Sequence, residues 1–121
     1  MKTHHLYSDE TGESRWRDVE PALVERSFAP PAKAIEISDP EPAAQFLFLR
    51  LRAGWDEPVH PTPVPQTLIC LAGAVEVTAS DGEVRRIGRG DVWRMEDLTG
   101  KGHHTRVVGD ADFEAAIVQF A

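Results

Sequence analysis

From Gln45 to its end the chain places apolar residues at every second position in short runs, with glycine-, proline- or aspartate-rich turns between them. A period of two belongs to strands, whose successive side chains point to opposite faces, and it bars the 3.6-residue period of an amphipathic helix. Gln45 to Arg52 puts Phe46, Phe48, Arg50 and Arg52 on one face and Leu47, Leu49 and Leu51 on the other. Val75 to Thr78 and Glu83 to Ile87 flank Ala79-Ser80-Asp81-Gly82, whose residues tolerate positive φ, so the two runs form a hairpin. Asp91 to Met95, Thr105 to Val108 and Phe113 to Phe120 continue the series. About eight such strands with no long helical pattern predict an all-β sandwich or barrel.

The chain of 121 residues has room for one domain and one core. Twenty acidic residues against 13 Lys and Arg give a net charge of -7, and no basic stripe offsets it. Nucleic acid and anionic membrane surfaces are therefore excluded as partners. The single Cys70 has no partner for an internal disulfide and falls in a buried strand, where a thiol is ordinarily inert. The N-terminus lacks the apolar core of a signal peptide, and no segment approaches the roughly 18 apolar residues that span a bilayer. A cytoplasmic location is expected.

The first 44 residues differ in character. Residues 1–15 are polar and turn-rich, with little to anchor them alone, and Pro21 interrupts any helix that Trp16, Val19, Leu23 and Val24 could build. Ala29-Pro30-Pro31-Ala32 is extended or polyproline-like. The expected organisation is an N-terminal arm with one or more strands over 1–44, packing on the barrel or on a partner subunit, and a β-barrel over 45–121.

The segment Gly54 to Gly73, GWDEPVHPTPVPQTLICLAG, carries the first candidate chemistry. His60 stands ahead of a run in which Gln66, Leu68 and Cys70 share one face while Thr67, Ile69 and Leu71 share the other. A polar pair at the mouth of a strand apolar on both faces points to an interior cavity. A second candidate lies at Gly102-His103-His104, of which alternation lets only one histidine face inward. Trp93 and Met95 share a face with Asp97, which is placed to orient a neighbouring histidine unless it and Glu96 lie on a solvated loop. Thr99-Gly100-Lys101-Gly102 lacks the spacing and the following helix of a phosphate loop. Arg50 and Arg52 either bind an anion at the cavity rim or pair with the abundant acids.

GWDEPVHPTPVPQTLICLAG followed by GRGDVWRMEDLTGKGHHT resembles the two motifs of the cupin superfamily, and more closely those of small single-domain bacterial cupins whose second motif reads E-D-x-T-G-K-G-H. Gly54, His60 and Gly73 match the first motif, whereas Thr62 stands at its second histidine and Gln66 at its glutamate. Gly90 and His103 match the second, with Glu96 at its proline and Val107 at its asparagine. The resemblance implies a double-stranded β-helix, or jelly-roll barrel, with an N-terminal arm of the kind that often crosses to a partner subunit. It favours His103 over His104 as the inward histidine.

The resemblance also implies a site. Metal-binding cupins hold a divalent cation with imidazoles and a carboxylate. Here the corresponding set is His60, Gln66 and His103, for Fe, Ni, Zn or Mn. An amide in place of the carboxylate leaves the cation its full charge, so the expected binding is weak. His60 as a hydrogen-bonded strand cap and Gln66 as a satisfied core amide are the alternatives. The expected pocket is formed by His60, Gln66, Leu68, Cys70, Trp93, Met95, Asp97 and His103. Three functions fit: a small-molecule-binding protein of undefined ligand, a metal-dependent enzyme of dioxygenase, isomerase or lyase type, or a dimeric accessory protein without ligand. The first is preferred, as a homodimer.

Overall fold

The alternating runs close into two sheets around one core. In the computed structural model, which describes all of residues 1–121, the strands are β1 Thr3–Ser8, β2 Ser14–Val19, β3 Val24–Arg26, β4 Ile35–Ile37, β5 Gln45–Leu51, β6 Gln66–Ala72, β7 Ala74–Ala79, β8 Val84–Gly88, β9 Val92–Glu96, β10 His103–Val108 and β11 Phe113–Gln119. A six-stranded sheet runs β2-β1-β9-β6-β11-β5, and a three-stranded sheet runs β10-β7-β8. All neighbours are antiparallel except β1 and β9, which are parallel. Leu6, Trp16, Leu68, Cys70, Trp93, Met95, Phe113 and Ile117 from the large sheet meet Val75, Val77, Ile87 and Val107 from the small one in a single buried cluster. No helix interrupts the two layers, and the architecture is all-β, as the period of two predicts.

The register of β6 is the one its alternation implies. Gln66, Leu68 and Cys70 are 7%, 3% and 1% exposed, while Ile69 and Leu71 on the other face are 38% and 47% exposed. The β7–β8 hairpin turns at Ala79–Gly82, with the Gly82 amide donating to the Ala79 carbonyl. On the edge strand β5, Leu47, Leu49 and Leu51 pack against the core, and Phe46 and Phe48 face outward at 61% and 73% exposure. Arg50 pairs with Glu114 at 2.6 Å and Arg52 with Asp112 at 3.2 Å on that outer side, so neither arginine borders the cavity.

The N-terminal residues are more ordered than their composition suggests. Residues 1–15, read as turn-rich and unanchored, include β1, which lies between β2 and β9 within the large sheet. Leu6 and Trp16 enter the core. The period of two is masked here because polar groups occupy both faces of β1. His5 is buried on the outer face, where its Nδ1 accepts from Arg17 Nε at 2.8 Å and its Nε2 lies 2.8 Å from Glu96 Oε1. Pairing with β9 and β2 decides the conformation where local pattern does not. Strands β3 and β4 pair only with each other, and the segment that follows β4 is tied to the sheet by an Arg94–Glu41 ion pair at 2.7 Å.

Candidate functional site

Four prolines between Glu57 and Gln66 (Pro58, Pro61, Pro63 and Pro65) withhold ladder amides, so this stretch crosses the barrel mouth as irregular backbone rather than as a strand. It is pinned at the residues that keep their N–H groups. The Val107 amide donates to Trp55, that of Glu57 to Thr105, and that of Thr62 to Asp97. His60 and His103 exchange two backbone hydrogen bonds of 3.1 Å each. Gly102 makes this approach possible. At φ +73°, a Cβ on it would stand 2.3 Å from the His60 carbonyl carbon, so only glycine fits.

That bridge sets the two imidazoles side by side, with ring centroids 5.3 Å apart and planes inclined at 50°. The Nδ1 of His103 is 2.5 Å from Asp97 Oδ2, and the second Asp97 oxygen accepts from the Thr62 hydroxyl at 2.6 Å. Asp97 is fully buried, so these partners satisfy a carboxylate that water does not reach. A hydrogen on His103 Nδ1 leaves the Nε2 lone pair free. His60 follows the same pattern, with Nδ1 3.0 Å from the Pro58 carbonyl and 3.2 Å from Glu57 Oε2. One ligating atom each from Glu57, His60 and His103 lies within 4.8 Å of the other two. Burial raises the Glu57 carboxyl above its ordinary value, and the two imidazoles and the Thr105 hydroxyl pull it the other way.

Behind this group lies a cavity of about 270 Å³ lined by His60, Gln66, Leu68, Trp93, Met95 and His103, among others. Of the residues expected to form a pocket, Cys70 and Asp97 do not line it. The Cys70 thiol packs toward the Ala72 and Gly73 carbonyls, and burial raises its pKa. Asp97 stands behind His103 as its orienting carboxylate. His104 faces outward, with its Nε2 2.6 Å from Asp56. Gln66 points inward, but its Oε1 accepts from Gln119 Nε2 at 3.0 Å and its Nε2 rests 3.2 Å from the Met95 sulfur. Its carbonyl is thus engaged within the protein, and the acid beside the histidines is Glu57. Strand alternation hides Glu57, because it stands three positions before His60 and a regular strand would put the two on opposite faces. The prolines that break the strand were the available signal.

Two imidazoles and a carboxylate are a donor set suited to a borderline divalent cation, and three protein ligands leave positions open for other molecules. No protein-family model and no curated protein matches the chain. Solved structures do. The chain is similar to a Cupin 2 conserved barrel domain protein from Salinispora arenicola, with 19% identity and a TM-score of 0.52 over 82% of this chain and 74% of that one. It is also similar to the Cnp3 cupin domain of Schizosaccharomyces pombe, with 14% identity and a TM-score of 0.51 over 99% and 88% of the two chains. These likenesses define the class: a small protein of the cupin jelly-roll fold.

Proposed function

We propose that this chain is a small-molecule-binding cupin whose pocket also holds a divalent cation weakly, through His60, His103 and Glu57. The observation that carries the reading is the convergence of those three donors, within 4.8 Å of one another, at the polar end of an otherwise apolar cavity. Bound there, a cation such as Fe, Ni, Zn or Mn would supply Lewis acidity beside the pocket. The chain's own part is orientation: Asp97 and the Pro58 carbonyl fix the two imidazoles with their Nε2 atoms free. Isothermal titration with zinc or nickel on protein purified without a nickel column tests it. Micromolar binding in the wild type, lost in His60→Ala and weakened at least tenfold in Glu57→Gln, is the expected result. Equal affinity in all three proteins would remove the site.

We further propose a homodimer. Phe46, Phe48, Ile69 and Leu71 form an uncovered apolar area on the outer face of the large sheet, and Val24, Phe28 and Ile35 stand exposed on the β3–β4 hairpin. A two-stranded hairpin is marginally stable in water by itself, which supports a second copy as its support. A symmetric dimer, the commonest closed assembly, would cover both surfaces at once. No helix is long and apolar enough to cross a membrane. A free, buried cysteine agrees with a reducing, cytoplasmic setting.

A further inference from the structure

Three hydrogen-bond acceptors converge where the cavity opens at the barrel mouth. His103 is 2% exposed and lines the cavity, and its Nε2 has no hydrogen-bond partner in the chain. The His60 Nε2 is equally free, since its Nδ1 takes the Pro58 carbonyl. Glu57 lines the same space, and its ion-pair partner is the His60 imidazole at 3.2 Å rather than a Lys or Arg. No Lys or Arg lines the cavity at all. One carboxylate and two imidazole lone pairs therefore face a space without fixed positive charge, in a chain whose net charge of -7 already draws cations.

The spacing narrows the occupant. One nitrogen of each imidazole and a Glu57 oxygen all lie within 4.8 Å of one another. A nitrogen that donates three N–H bonds of about 2.9 Å in tetrahedral directions sets its acceptors roughly 4.7 Å apart, inside that limit. A primary ammonium group has those three donors, whereas an alcohol has one and leaves two acceptors to water. Beyond the mouth the lining is mainly apolar, including Leu49, Trp55, Leu68, Phe113 and Ile117. A volume near 270 Å³ is about nine waters' share of liquid, which suits a molecule of roughly ten non-hydrogen atoms.

We propose that the pocket binds a small primary ammonium ion with an apolar body, such as an arylalkylamine. Its three N–H groups donate to His60, His103 and Glu57, and its hydrocarbon body packs on Leu49, Leu68, Phe113 and Ile117. This rests on the pocket being a ligand site, and it makes the ammonium group and a divalent cation rivals for the same three atoms. The test is calorimetric titration of the full chain in chelator with three probes of similar size: phenethylamine, phenethyl alcohol, which lacks the charge, and phenylacetate, which reverses it. Phenethylamine should bind on the order of tenfold tighter than phenethyl alcohol, the difference expected of hydrogen bonds to charged groups, with phenylacetate the weakest. Glu57→Gln should remove most of the amine's advantage over the alcohol, and His60→Ala should reduce it severalfold. Either variant alone suffices if the other fails to fold. Equal binding of amine and alcohol, tighter binding of phenylacetate, or an amine preference that survives both substitutions overturns the ammonium assignment and leaves the pocket standing. No binding by any probe overturns the pocket as a ligand site too, while the zinc titration decides the cation separately.

Discussion

Asp97 illustrates how one buried side chain sets the chemistry of another. Its two oxygens hold the Thr62 hydroxyl and His103 Nδ1 in a place without water, so the carboxylate has no other partners to exchange for them. Asp97→Asn would turn one acceptor into a donor facing the His103 N–H. The expected cost is about 1–3 kcal/mol of stability in a urea titration, and zinc affinity should fall on the order of 10- to 100-fold, as for other carboxylates behind a ligating histidine. Unchanged zinc affinity in a folded Asp97→Asn protein would mean that His103 is not a ligand. Elsewhere, burial and then the Arg17 guanidinium hold the His5 imidazole below its ordinary value of 6.5. The unfolded chain therefore binds the extra proton first, and stability falls as pH drops below that value toward the folded one. His5→Gln should flatten this loss between about pH 7 and 5. The comparison isolates His5 from Glu57, whose raised value acts in the opposite direction. An identical slope in both proteins would contradict the assignment.

At the scale of elements, β6 and the β7–β8 hairpin were legible because each alternates cleanly and ends in residues with turn chemistry. His60 and His103 were legible as candidates because each follows a glycine-led segment at motif spacing. Glu57 was not, since the four prolines around His60 replace alternation with irregular backbone held by cross-chain amide bonds. Strand β1 was hidden for a different reason. Its outer-face residues are polar because their hydrogen-bond partners come from the next strand, β2, and from β9, far along the chain. The close contact of the His60 segment with β10 depends on Gly102. Gly102→Ala should destabilise the fold by about 1–3 kcal/mol or more through left-handed strain and the clash at His60. It should also lower zinc affinity more than Leu68→Ala does. Leu68→Ala removes core volume at a cost of about 2–5 kcal/mol while leaving the histidine bridge in place.

For the whole molecule, the two surfaces left apolar lie outside the barrel, on β5–β6 and on the β3–β4 hairpin. A net charge of -7 opposes association at low salt, so the dimer should tighten as salt screens it. Sedimentation at micromolar concentration should give twice the monomer mass, and Phe46→Glu with Phe48→Glu should return a folded monomer. A wild-type monomer at that concentration would remove the dimer without touching the pocket. The central claim is that the barrel mouth gathers His60, His103 and Glu57 into one cation site. A crystal grown with zinc and measured at the zinc absorption edge tests it most directly. One anomalous peak is expected about 2.0–2.1 Å from the Nε2 atoms of both histidines, with a Glu57 oxygen at similar range. A peak elsewhere, at Gln66 without Glu57, or none at the bridge, would contradict it.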